Sequence, residues 1–155
     1  MPTPGWMEVA TVTSASELDQ LIEEQHVALD AFVKGNDEPL AKLWSRADDV
    51  TLGNPFGPFA RGSGRVAETL KAAAAFYADG EATGFELLSK HVTADLAYIV
   101  EVERFTAKFV GRDDFAPLSL RCTSIFRRED GRWRIVHRHA DPITTARTPE
   151  SVIQK

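Results

Sequence analysis

The sequence predicts an α+β domain in which helices come first and antiparallel strands follow. Apolar residues recur at helical spacing from Leu18 to about residue 78, and from Thr83 onward they alternate as strand residues do. The later segments are separated only by short turns, the pattern of hairpins in an antiparallel sheet. At 155 residues with 43% hydrophobic and 26% charged side chains, the chain has enough apolar material for one core and no sign of a second domain.

Ser14-Ala15-Ser16-Glu17 has capping-box form and predicts a helix start. Leu18, Leu21, Ile22, Gln25, Leu29, Phe32 and Val33 then form one stripe, and Gly35-Asn36 marks the end. A shorter helix is expected from about Asp37 to Trp44, with Asp37 and Glu38 ahead of Pro39 in its first turn and Leu40, Leu43 and Trp44 inward. Val50-Thr51-Leu52 reads as a short strand that enters an irregular hairpin at Gly53-Asn54-Pro55-Phe56-Gly57-Pro58-Phe59. The third helix is expected from Ser63 to Tyr77 or Ala78, burying Val66, Leu70, Ala73, Ala74 and Tyr77, with Gly80 as its stop. Its alanine run, Ala72 to Ala75, suits close approach to a sheet. Strands follow at about 83–92, 95–109, 116–128 and 131–140. The expected organisation is a flexible segment 1–13, one domain over 14–142 and a tail over 143–155.

A formal charge of −5 with scattered Lys and Arg argues against nucleic acid as a partner. The single cysteine, Cys122, excludes an intrachain disulfide and fits a buried thiol in a reducing compartment. No apolar run approaches the roughly 18 residues of a membrane span, and the N-terminus lacks a signal-peptide pattern. The expectation is therefore a cytoplasmic protein without membrane contact.

Strand alternation places Trp133, Ile135, His137 and His139 on one face, and Arg121, Thr123 and Ile125 on one face of the preceding strand. Imidazoles and an arginine on strand faces suggest a sheet curved around a polar-floored cavity. Glu101 and Glu103 share a face with Ile99 and Phe105, whereas Val100, Val102 and Arg104 point the other way. If Glu101 and Glu103 face inward they need partners, and with His139 they form an acid–base set whose pKa values burial would move towards neutrality. Arg121 would then capture a ligand carboxylate, with Thr123 and His137 beside it and Trp44, Asn54, Phe56 and Phe59 as pocket wall. The alternative parity puts both glutamates on a solvated face opposite Arg121 or Arg127, with Val100 and Val102 buried and the histidines structural. His137 and His139 present two metal-capable nitrogens without a third ligand, so neither a metal nor any other cofactor is expected.

Three segments carry a family resemblance. Lys34-Gly35-Asn36-Asp37-Glu38-Pro39-Leu40 ahead of Leu43-Trp44, Gly53-Asn54-Pro55-Phe56-Gly57, and Gly131-Arg132-Trp133-Arg134-Ile135-Val136-His137-Arg138-His139 are similar to the helix junction, hairpin and last strand of the nuclear transport factor 2-like superfamily. The likeness covers roughly residues 17–141 and points to its SnoaL-like and ketosteroid isomerase-like branch. It implies three N-terminal helices packed on a strongly curved, mainly antiparallel sheet that forms a cone-shaped pocket, and a homodimer through the outer sheet face. The isomerases' general base, an aspartate before the hairpin proline, is replaced by Asn54, an amide with no proton affinity near neutrality. Their oxyanion-stabilising tyrosine would fall near Ala28. The resemblance thus implies a domain for a small hydrophobic or carboxylate-bearing molecule, with isomerase, cyclase or hydrolase-type acid–base chemistry that does not use the usual Asp/Tyr pair. A non-catalytic ligand-binding or dimerisation module is the alternative.

Overall fold

The computed structural model describes residues 5–155, with side chains described from Glu17 onward. Three α-helices, α1 (Gly5–Phe32), α2 (Glu38–Ala41) and α3 (Ser63–Ala74), precede the long strands. The strands are β1 (Thr51–Gly53), β2 (Ala60–Arg61), β3 (Tyr77–Val92), β4 (Leu96–Phe109), β5 (Ala116–Glu129) and β6 (Arg132–Asp141). They form one curved six-stranded sheet in the order β2-β1-β6-β5-β4-β3, antiparallel except where β1 runs parallel to β6. The α+β class, the helices-first order and the boundaries of the last three strands agree with the sequence pattern to within about a residue.

Three boundaries differ for physical reasons. Helix α1 runs through the Ser14–Glu17 capping box, because serine and glutamate are tolerated in a helix interior as well as at its start. The expected segment 1–13 is therefore helical from Gly5, and its first four residues lie outside the described ones. Helix α2 is a single turn, since Leu43 and Ser45 leave it to exchange backbone hydrogen bonds with Ile135 of β6. Helix α3 stops at Ala74, and Tyr77 opens β3 by pairing with Phe109 of β4.

Gly80 does not stop a helix. It sits in a break of β3 beside Asp79, whose φ is 56°, and its N–H donates to the Val33 carbonyl at 2.9 Å. A Cβ here would lie 2.4 Å from that carbonyl oxygen, so only glycine lets the end of α1 approach so closely.

The buried face of α1 carries Leu18, Leu21, Ala28 and Leu29, and Val33 continues it in the turn beyond. It packs with Leu40, Val66 and Leu70 of the other helices against Ile99, Phe105, Phe126 and Ile135 of the sheet. No helix among the described residues is long and apolar enough to cross a membrane.

Candidate functional site

Between the helices and the concave face of the sheet lies a cavity of about 40 Å³, with space for roughly three waters. Leu29 and Phe32 of α1, Val33 just after it, Leu70 and Ala73 of α3 and Phe105, Leu118 and Leu120 of the sheet supply most of its wall. Its polar lining consists of Asn54, Tyr77 and Arg138. Phe56 and Pro55 close the end nearest the surface, and the Asn54 side chain fixes that loop by accepting the Phe56 N–H at 2.9 Å.

Arg138 is held from behind. Its guanidinium donates to both oxygens of Glu103, at 2.8 and 2.6 Å, and the two side chains are only 6% and 0% exposed. Burial alone would raise the Glu103 pKa, but the Arg138 charge and hydrogen bonds outweigh it, so the carboxyl is held below its usual range. Two positions earlier on β4, Glu101 is equally buried. Its pKa is pushed up, chiefly by that burial and, against the pull of His26, by the Glu103 charge beside it. His26 of α1 reaches both Glu101 oxygens through Nε2, at 2.9 and 3.1 Å, and its ring stacks on Phe85 with centroids 3.8 Å apart. The result is a chain of contacts, His26 to Glu101 to Glu103 to Arg138, that runs from the edge of α1 to the cavity wall. Cys122, opposite Glu101 on β5, is buried among these groups and its thiol is pushed up by that burial.

Tyr77 enters the cavity from β3, and desolvation pushes its phenol up to about 12. It is therefore a hydrogen-bond donor at any ordinary pH. Helix α1 has no hydroxyl at Ala28, and the tyrosine of this cavity comes from a strand instead.

Of the two parities weighed for β4, the structure has the inward one, with Glu101 and Glu103 buried. The parity expected for β5 and β6 is corrected. Ile125 pairs with His137 and Phe126 with Ile135, which leaves Val136 as an extra residue in β6. Trp133 and Ile135 face the core as expected, but beyond the bulge Arg138 and Ala140 turn inward and His137 and His139 turn outward. His139 is half-exposed, 3.4 Å from Asp141, and does not meet Glu101 or Glu103. His137 bonds to the Thr51 hydroxyl at 2.7 Å, and its pKa is lowered by burial first and by His139 second. Arg121 also points outward and pairs with Asp141 at 2.7 Å, so it cannot hold a ligand in the cavity. Thr123 lies across from His139 on that same outer face. Phe59 stacks on His137 and lies tilted against His139 rather than lining the cavity, its ring lying where a Gly53 side chain would be. Trp44 is core, bridged to Ile135. Asn54 and Phe56 alone of the expected wall residues line the cavity.

Arg138, Tyr77 and His26 are functional candidates that sequence reasoning passed over. His26 was within reach, because it falls four residues after Ile22 and three before Leu29, on the apolar stripe of α1. Arg138 was hidden by the bulge, and Tyr77 by its assignment to a helix. Among the described residues, no group of three His, Cys, Asp or Glu side chains could hold a metal ion.

Comparison with known proteins agrees with the architecture. A protein of the nuclear transport factor 2-like superfamily from Salmonella enterica superposes with a TM-score of 0.73 at 19% identity, over 90% of this chain and 98% of that one. A ketosteroid isomerase-like protein from Erwinia carotovora atroseptica gives 0.69 at 16% identity, over 84% of this chain and 96% of that one. A candidate dehydratase of the nuclear transport factor 2-like family from Streptomyces avermitilis gives 0.68 at 22% identity, over 86% of this chain and 98% of that one. At these identities the likeness shows the fold alone. No curated protein matches the sequence significantly. The profile of the SnoaL-like domain matches residues 25–144, most of the chain and every strand of the sheet, so the chain belongs to the SnoaL-like family and has the fold of nuclear transport factor 2-like proteins.

Proposed function

We propose that this domain binds a small, largely apolar molecule through a carbonyl or carboxylate oxygen gripped by Tyr77 and Arg138. The observation that carries the reading is the composition of the cavity wall: an apolar enclosure whose lining includes the Arg138 and Tyr77 side chains, with the phenol un-ionised. Both are donors. In a poorly hydrated site such donors favour an oxygen acceptor, and they favour it more as negative charge develops on it, which is the requirement of isomerase, dehydratase or cyclase-type proton transfer beside a carbonyl. Relatives described as dehydratase and ketosteroid isomerase-like proteins support that class of chemistry. Glu103 and Glu101 act here as positioning residues, because they orient Arg138 and set the charge behind it.

Calorimetric and thermal-shift titration of small carboxylates and cyclic ketones, on the wild type and on Tyr77→Phe, tests the reading. A ligand at hundredfold excess over its Kd stabilises by about 2.7 kcal/mol, and loss of the hydroxyl should weaken it by about tenfold. Equal affinity for both proteins would refute the grip. A second reading, a homodimer through the sheet face turned away from the helices, is favoured by Tyr98, exposed there beside the half-buried Val100, Val102 and Ile125. Sedimentation at micromolar concentration decides it, and a monomer would rule it out.

A further inference from the structure

The internal cavity has room only for the oxygen-bearing end of a ligand, and a surface groove of about 300 Å³ lies directly outside it between the 54–60 loop and α3. The two spaces share Asn54, Phe56 and Ala73, so a single layer of side chains separates them. Phe56 is the part of that layer most open to solvent. It is 43% exposed, packs edge-on against Phe76 at 5.1 Å and lies 6.0 Å from the Tyr77 ring. The residue after it, Gly57, has open space where a side chain would stand, so the ring has room to turn outward while Asn54 holds the Phe56 N–H in place.

We infer that the cavity and the groove are two ends of one binding channel, with Phe56 as the gate between them and the determinant of ligand shape. The inference rests on the oxygen grip proposed above and adds the ligand's other end. With Phe56 swung aside, an extended, flat molecule places its oxygen at Arg138 and Tyr77 and lays its body between the loop and α3, against the Phe76 ring. The ligand class is therefore an elongated aryl carboxylate or aryl ketone. The argument is continuity. A ligand body leaving the cavity past Phe56 enters this groove, where the flat Phe76 ring and the methyl-bearing Ala72 and Thr69 line the wall.

Benzoate and biphenyl-4-carboxylate are the probes, titrated calorimetrically against the full chain as wild type, Phe76→Ala, Tyr77→Phe and Phe56→Ala. The expected result is that the biphenyl acid binds the wild type at least about tenfold tighter than benzoate, the equivalent of about 1.4 kcal/mol. Phe76→Ala should collapse that ratio to nearly one, and Phe56→Ala should speed association of the biphenyl acid at least several-fold in stopped flow. Phe76→Leu serves the same purpose if the alanine variant does not fold, because it keeps the bulk and removes the flat face. An unchanged ratio in the Phe76 variant, with both acids still weakened by Tyr77→Phe, would overturn the channel and leave the oxygen grip standing. Failure of both acids to bind the folded wild type would overturn the two together. An unchanged ratio accompanied by loss of a dimer in Phe76→Ala would assign the groove to a second copy of the chain instead.

Discussion

Replacing Glu103 by glutamine should be the most damaging conservative change in this protein. The substitution keeps size and shape and removes one charge, leaving Arg138 ionised, almost fully buried and facing an amide in place of a carboxylate that accepted two hydrogen bonds. Breaking a buried pair from one side costs about 3–5 kcal/mol, because the surviving charge has lost both water and its counter-ion. For a domain of this size about 2–4 °C of Tm accompanies each kcal/mol, so the melting temperature should fall by about 6–20 °C. The control is built into the same sheet. Arg121→Ala breaks a pair of similar length, but Arg121 is more than half exposed, and such pairs are worth about 1 kcal/mol or less. Urea denaturation of both variants, read by tryptophan fluorescence, gives the comparison. The double variant Glu103→Leu with Arg138→Met should recover much of the loss, since apolar residues can replace a buried pair at little penalty. A Glu103→Gln protein within about 1 kcal/mol of the wild type would refute the view that this ion pair is dry and mutually dependent.

Glu101→Gln should behave oppositely with pH. The folded-state pKa of Glu101 is raised, so its stabilising contribution is complete below the unfolded value of about 4.3 and is lost as pH rises through the folded value. A glutamine keeps the size and polarity of the side chain without titrating. The variant should therefore lose less stability than the wild type between acid and mildly alkaline pH, and identical pH profiles would contradict the assignment. Gly80→Ala should destabilise by about 1–3 kcal/mol through collision with the Val33 carbonyl, measured by chemical denaturation. A neutral effect there would mean that the end of α1 is not held against β3. Gly53→Ala should displace the Phe59 ring from the outer histidines, visible as shifted His137 and His139 ring resonances, and unmoved resonances would contradict that packing.

Elements with long uninterrupted periodicity were legible in the sequence. The strands β4 and β5 and the stripe of α1 carry their pattern over several turns or pleats, and the inward facing of Glu101 and Glu103 was one of two parities the alternation allowed. What escaped was decided by neighbours. Val136 gives no local signal of being an extra residue. The bulge lies where β6 changes partners, from the Leu43–Ser45 stretch, which bonds to Ile135, to β1, which pairs with His137 through His139. One residue of phase exchanges His137 and His139 for Arg138 on the inner face, and with that exchange the expected site moved to the wrong side of the sheet. Tyr77 was misplaced for a related reason. Helical spacing continues through it, but pairing with Phe109 prevails over local preference.

Cys122 gives the chain an internal reporter. Its sulfur is enclosed by the central sheet and its thiol resists ionisation, so an alkylating reagent added to the native protein has neither access nor a thiolate to attack. Modification must wait until β5 separates from its neighbours. The rate at which a thiol-specific dye is incorporated thus measures how often the middle of the sheet opens, without any engineered label. A ligand seated on Arg138, one strand away, would be detectable as a slowing of that chemistry even when it gives no optical signal of its own.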